Sequence, residues 1–363
     1  MLSIPRTILD TFTKRILIAL GTPDDLAVIV TESLVGANLA GHDSHGVIRL
    51  PMYAEAIQGS VMKPATGARG ASLLTDVRAT VHPPTGMLAT TTIDGAWGWG
   101  PPAAHLACDV VIERAGQFGI AVANVQHCNH IMRVGQYVEH IAAKGLIGIV
   151  FCNSGPGVAP FGGLGRVLGT NPIAIAIPRG DDSPPVLLDG STSMVAEGKL
   201  KVLLDKGLQA PAGWIVDRDG NPTTHPADFY DGGAILPLGG HKGYAFGVMV
   251  EMIAGLLSGA SAAFLPDYAG GNGVVIIALR PDAFVPLDEY FAHVGRACIA
   301  LKSTLPAVAG GEVLLPGEPE QRARRERINK GIPIAEATWQ SLETLAKQLG
   351  VSYFDLDQPT QSH

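Results

Sequence analysis

Between Gly41 and Pro51 the chain reads G-H-D-S-H-G-V-I-R-L-P, so two imidazoles, a carboxylate, a hydroxyl and a guanidinium fall within a few residues. Such a set can bind an acid and move a proton. Histidine titrates near neutrality, which makes His42 and His45 candidates for acid or base, with the Ser44 hydroxyl between them. Arg49 offers a planar fork that matches a carboxylate through two parallel hydrogen bonds. The competing reading is a polar closure of a helix end, and residue types alone leave both open.

The elements around the cluster follow from periodicity. Leu26, Ile29, Val30, Leu34 and Leu39 recur at helical spacing, with Thr22-Pro23-Asp24-Asp25 as a capped start and Gly41 as the stop. Residues 1 to about 60 are expected to be helical. So is the far end, where Ala337, Leu342, Leu345 and Leu349 keep the period after Pro333. The middle differs: Leu146–Phe151, Pro172–Ile177, Val186–Leu188 and Gly273–Leu279 are short apolar runs bounded by Gly, Pro and Asn, as in strands covered on both faces. Helical patterns over Ala103–Phe118, Gly135–Lys144 and Tyr244–Ser258 would supply the cover.

At 363 residues the chain exceeds what one hydrophobic core usually supports, so two domains are expected. A helical domain drawn from both chain ends (1–75 with 285–363) would flank an α/β domain over 76–284. Ser60–Thr75 and Pro281–Leu287 would be the crossings. The net charge of −7 carries no long basic run and argues against nucleic acid as a partner. Arg322, Arg324, Arg325 and Arg327 are interleaved with Glu320 and Glu326, which reads as a solvated helix face, with cofactor phosphate the less favoured use. Cys108, Cys128, Cys152 and Cys298 form no CxxC pair, which fits reduced thiols in the cytoplasm and disfavours both a zinc knuckle and a disulfide framework. No run reads as a signal core, and Phe246–Leu257, the most apolar helix candidate, is short and carries Glu251. Membrane insertion is not expected.

After the run ending at Phe151, Asn153-Ser-Gly155-Pro-Gly157 imitates the opening of a dinucleotide fingerprint. Pro160 stands where the third glycine belongs, and more loop follows instead of a helix. The loop either presents backbone N–H groups to phosphate or simply joins strands.

Six segments in order resemble the malate/L-lactate dehydrogenase family, the NAD(P)-dependent oxidoreductases without a Rossmann fold. They are A-G-H-D-S-H-G from Ala40, N-H at Asn129 with G-x-Y at Gly135, G-T-N-P at Gly169, L-D-x-x-T-S at Leu188, H-K-G-Y at His241 and L-P-G-E at Leu315. E-G-K at Glu197 and R-R-E-R after Leu315 bring the hydroxycarboxylate dehydrogenase branch closest. The resemblance implies an α/β fold, a three-layer cofactor domain with a mixed sheet plus a helical domain, and a homodimer. It implies NAD, with NADP possible, and a small 2-oxo or 2-hydroxy carboxylate as substrate. Ser44, His45 and His130 would be catalytic, with either histidine as the proton carrier. Arg49 would grip the acid, with Tyr53, Thr170 and Lys199 also on the substrate side. Asn129, His130, Ser154, Asp189, Gly190, Ser191, Lys242, Gly243, Gly317 and Glu318 match cofactor positions. No metal is implied.

Two departures qualify the resemblance. Met132 replaces a glycine common in the family and is expected to put bulk beside nicotinamide or substrate. Tyr53 and Lys199 stand where an imine-reducing branch would carry histidine and aspartate, which points to alcohol and ketone chemistry. Two competing functions are a metal-dependent lyase or hydrolase using His42, Asp43, His45, His127 and His130, and an inactive binding protein on the same fold.

Overall fold

Runs of Ala, Val and Ile separated by glycine-rich turns assemble one seven-stranded sheet in the middle of the chain. The computed structural model describes residues 1–57, 73–82, 86–180, 183–308 and 310–352. Across the sheet the order is Thr80–Val81, Thr90–Asp94, Ile120–Gln126, Val274–Leu279, Ile147–Cys152, Ile173–Ile177 and Val186–Gly190. Thr90–Asp94 runs parallel to Ile120–Gln126 and every other pairing is antiparallel, so the sheet is mixed and the fold α/β. One face is built from small residues, among them Ala121, Ala123, Ala174, Ala176 and Ala278, all fully buried. Their size lets helices Gly100–Phe118 and Gly135–Ala142 lie close against it. The opposite face is crossed by helix His241–Val250 and its π-helical continuation Glu251–Leu256, which completes three layers.

The apolar runs are not covered equally on both faces, as their continuity suggested. Along Ile147–Cys152 and Ile173–Ile177 burial alternates, with Ile147, Ile149, Phe151, Ile173 and Ile175 only partly buried. A single line of helix is too narrow to cover that width of sheet. Three strands escaped the pattern: Thr80–Val81 is only two residues long, and Thr, Asn and Gln interrupt the apolar positions of Thr90–Asp94 and Ile120–Gln126.

The two chain ends meet in a second core. Leu9, Phe12, Ile16 and Leu17 of helix Arg6–Ala19 pack with Val30 and Leu34 of helix Asp24–Leu39 and with Trp339, Leu342 and Leu345 of helix Glu336–Gln348. The expectation of helix throughout residues 1–60 is corrected at its start: Leu2–Ile4 is a strand, paired antiparallel with Ile332–Ile334. A partner some 330 residues away leaves no local trace. Helix Leu287–Lys302 buries only Cys298 and leaves this core alone, while Phe291 on it crowds Gly180 at the end of the sheet. Of the expected first crossing, residues 60–72 lie outside the described residues. Helix Asp24–Leu39 starts at Pro23, with no side-chain cap; the Thr22 hydroxyl instead accepts the Trp99 indole N–H at 3.1 Å.

Candidate active site

The G-H-D-S-H-G segment is held from inside by one amide. Gly41 closes helix Asp24–Leu39 with φ +86°, the left-handed stop that glycine allows. Two short 3-10 turns follow, Asp43–His45 and Val47–Arg49. Asn38, back in the helix, donates to Asp43 Oδ1 at 2.8 Å and accepts the Val47 N–H at 2.9 Å. A Cβ at Gly46 would come within 2.1 Å of Asn38 Oδ1, so only glycine fits there. From helix Glu318–Lys330, Arg327 grips the Asp43 carboxylate at 2.5 and 3.1 Å. The arginine cluster is thus not merely a solvated face. Arg322 pairs with Glu312 and Arg324 with Glu139.

This frame brings Ser44, His45, Arg49, Tyr53 and His130 together. Ser44 Oγ lies 3.0 Å from His45 Nδ1, and the Tyr53 hydroxyl lies 2.7 Å from His130 Nδ1. The two imidazoles face each other, with centroids 5.8 Å apart and planes inclined by 20°. Each ring therefore has a hydroxyl on Nδ1 and keeps Nε2 for another group. A hydroxyl that donates to Nδ1 leaves the ring proton on Nε2; when it accepts instead, Nε2 is bare and basic. Trp99 stands edge-on to Tyr53 at 5.4 Å and fixes its ring. Arg49 donates through Nε to the Ser44 carbonyl at 2.7 Å and through Nη2 to Glu197 at 3.2 Å, while Nη1 has only the Met52 sulfur at 3.8 Å. Lys199 is exposed but close enough for its charge to act on His45.

Burial, then the Arg49 charge, pushes His130 down to about 3. His45 is held well below its ordinary value by burial first, then by His130, Arg49, His42 and Lys199. Both rings are neutral at pH 7. Burial pushes Tyr53 up, so its hydroxyl keeps a proton to donate.

The remaining expected residues gather mostly at one end of the sheet. Phe151 pairs with Ile173 and Ile173 with Gly190, so Ser154, Thr170 and Ser191 emerge side by side. Ser154 Oγ accepts the Thr170 N–H at 3.1 Å, and Ser191 Oγ donates to the Ser193 carbonyl at 2.9 Å. In the glycine-rich loop the Ser154 N–H goes to the Asn171 side chain and the Gly157 N–H to the Leu168 carbonyl. A side chain at Gly190 would meet nothing within 4 Å. Lys242 is exposed on the first turn of helix His241–Val250, and Gly243 presses against Leu238, where a Cβ would lie 2.2 Å from its carbonyl. Asn129 uses its amide on the Trp97 and Gly98 carbonyls, at 2.7 and 3.1 Å.

Other expected residues stand in different surroundings. Asp189 Oδ2 is committed to Arg133 and to the Gly135 N–H, each at 3.0 Å. Gly317, at φ +92°, rests against Leu187, and Glu318 holds Lys302 at 2.5 Å and the Leu315 N–H at 3.0 Å. Met132 is 2% exposed, with φ +62°, and belongs to the core cluster that also holds Tyr53 and Trp99. That conformation is one glycine adopts freely and methionine does not. His127 turns to Asp94 at 3.0 Å and His42 to Glu320 at 3.4 Å, so the histidines a metal would need do not converge, and among the described residues no group of three His, Cys, Asp or Glu could hold an ion.

Three site-building residues were not singled out for a role in the sequence. Glu251, fully buried, accepts from Gly169 N at 3.1 Å and from Asn171 Nδ2, Asn153 Nδ2 and Ala263 N at 3.0 Å each, pinning the loops that carry Ser154 and Thr170. Its only signal was a lone carboxylate in an apolar run. Asn38 gave none, being an ordinary polar residue within a helix. Glu197 appeared only in E-G-K; its second oxygen accepts the Tyr230 hydroxyl at 2.8 Å.

A model of the malate/L-lactate dehydrogenase family matches residues 4–343. The chain belongs to that family. It is 34% identical over 359 residues to a malate dehydrogenase of Pyrococcus horikoshii, covering 96% of both chains. It is 36% identical over 359 residues to hydroxycarboxylate dehydrogenase B of Escherichia coli, covering 94% of this chain and 93% of that one. The structure superposes on the Methanocaldococcus jannaschii sulfolactate dehydrogenase with TM-score 0.83 at 30% identity, over 98% of this chain and 99% of that one. In this malate/L-lactate dehydrogenase family member the two imidazoles facing Arg49 form the focus of the site.

A histidine whose folded pKa is depressed binds fewer protons than its unfolded counterpart between the two values, so stability falls as pH drops below about 6.5. Chemical denaturation at pH 7 and pH 5 is therefore expected to show a loss for the wild type that His130→Gln reduces by on the order of 1–2 kcal/mol. An unchanged difference between the two pH values would contradict a neutral, partly buried His130.

Proposed function

We propose that the chain interconverts a 2-oxo and a 2-hydroxy carboxylate, with His130 moving the proton and Arg49 holding the acid. The observation that carries this is a guanidinium with one nitrogen lacking a strong acceptor, set beside two neutral imidazoles whose Nε2 atoms have no hydrogen-bond partner among the described residues. A carboxylate on Arg49 offsets the charge that depresses His130. Its proton affinity rises when substrate arrives. In reduction His130, protonated once the acid is bound, gives its Nε2 proton to the substrate oxygen and returns to the neutral ring; in oxidation the bare Nε2 takes that proton back, with Nδ1–H donating to the Tyr53 oxygen throughout. Preorganised positive charge from Arg49 stabilises the developing alkoxide. His45, with Ser44 on its Nδ1, is the second candidate for the same role. His130 is favoured because its hydroxyl contact is shorter and because Arg49 is the leading charge upon it.

The electron pair has to come from a bound nicotinamide, whose C4 carries hydride. Three features support a dinucleotide at the sheet end: the neighbouring Ser154, Thr170 and Ser191 hydroxyls, the exposed Lys242 ammonium, and Gly190, where a side chain would meet nothing within 4 Å. NAD is proposed as the dinucleotide and NADP as the alternative; Asn129, His130, Gly243, Gly317 and Glu318 are proposed as further contacts. Asp189 would enter through its free Oδ1, since Oδ2 is taken. Tyr53, Thr170 and Lys199 are proposed on the substrate side. Buried, unpaired Cys108, Cys128, Cys152 and Cys298 support a reducing, cytoplasmic setting. Among the described residues no helix is long and apolar enough to cross a membrane.

A homodimer is also proposed. Phe246, Met249, Met252, Leu256 and Leu257 along the outer side of helix 241–256 and its end are 46–62% exposed, an apolar stripe that a second copy would cover. Light scattering should give twice the chain mass of 37.8 kDa, and a mass near one chain would refute it.

Arg49→Lys should lower kcat/KM for 2-oxo acids by roughly 2–4 kcal/mol, because an ammonium cannot reproduce the fork. NADH binding, followed by fluorescence titration, should change less than threefold. Equal losses for both ligands would remove Arg49 from the substrate.

A further inference from the structure

The proposed reaction needs Arg49 free to receive an acid, yet the protein already supplies one. Glu197 reaches Nη2 with a single oxygen at 3.2 Å, and its other oxygen is tied to Tyr230 at 2.8 Å. The approach is built in: a Cβ at Gly198 would lie 2.4 Å from Arg49 Nη2 and 2.7 Å from Ser44 Cβ, so glycine is what lets the start of helix Glu197–Asp205 press on the arginine. The pair forms one wall of a cavity of about 510 Å³ that Ser44, Glu55, Lys201 and Asp205 also line. Lys201 is paired with Asp205 at 2.6 Å. Once a substrate acid takes Arg49, the remaining cation of the lining, Lys201, is committed to Asp205 and leaves Glu197 and Glu55 without one of their own. Lys199, whose charge acts on His45, is exposed and lies outside that lining.

We propose that Glu197 is a specificity-determining residue: it lets Arg49 accept one carboxylate and rejects a substrate that brings a second. The preferred substrates are then 2-oxo monocarboxylates with an uncharged or cationic tail. Like charges forced together in a partly desolvated site cost several kcal/mol, whereas one acid meets an arginine whose charge is only partly offset. This inference rests on the proposed reaction, and the two fail differently.

The test compares kcat/KM for 2-oxobutyrate and oxaloacetate, which are similar in size and differ by one carboxylate, with NADH and with NADPH. Wild type should prefer 2-oxobutyrate by about 30-fold or more, about 2 kcal/mol. Glu197→Gln should cut that ratio below about fivefold by raising kcat/KM for oxaloacetate, while Glu197→Asp, which keeps the charge, should preserve most of it. A merely structural Glu197 would lower both rates together and leave the ratio standing. Preference for oxaloacetate by the wild type, or an unchanged ratio in Glu197→Gln, would overturn the inference while leaving the reaction intact. Turnover of neither acid would overturn the reaction itself and the inference with it.

Discussion

A guanidinium and two imidazoles crowd one partly buried space at this site, and without a substrate acid the charge there belongs to Arg49. Arg49 cannot give up its proton, and burial first, then neighbouring positive charge, holds His45 and His130 neutral. Everything around them serves that constraint. Tyr53 and Ser44 occupy the Nδ1 positions with hydroxyls that either donate or accept, which a fixed carboxylate could not do. Glu197 tempers Arg49 with a single, long contact rather than a bidentate one. The arginine thus retains enough positive charge to attract an acid and to depress the rings until that acid arrives.

Holding three such groups in place requires stiffness from two directions. On one side, Asn38 ties the ends of the histidine loop to the helix that precedes it, and Arg327 anchors Asp43 from the opposite end of the chain. The site therefore exists only once the two chain ends have met. On the other side, Glu251 is buried without a cation and survives because four N–H donors satisfy its oxygens. Those bonds cross from the helix over the sheet to three separate loops. The same carboxylate that made a membrane helix improbable in the sequence is what orders the sheet end where Ser154 and Thr170 lie.

Much of this was legible in the residues. The α/β middle could be read because Val, Ile and Ala runs bounded by glycine are local signals, its mixed sheet came only from the family resemblance, and the histidine cluster stood out because its polar groups are crowded into one turn. The strand Leu2–Ile4 and the Arg327–Asp43 pair were not legible, since their partners lie roughly 280–330 residues away and nothing local announces them. The burial of Met132 at φ +62° in the cluster with Tyr53 and Trp99 was not legible either. Asp189 shows the same limit, for its position at a strand end was visible but its commitment to Arg133 was not.

The central claim is that His130, kept neutral by burial and Arg49 and oriented by Tyr53, is the group that moves the substrate proton. Single-turnover rates of 2-oxo acid reduction by His130→Ala and His45→Ala, measured from pH 5 to 9, test it most directly. The account predicts a loss of at least about 10³-fold in chemistry for His130→Ala with nicotinamide binding retained, and for His45→Ala a loss mainly in substrate affinity. The reverse pattern would transfer the role to His45, and near-normal chemistry in both variants would contradict the account.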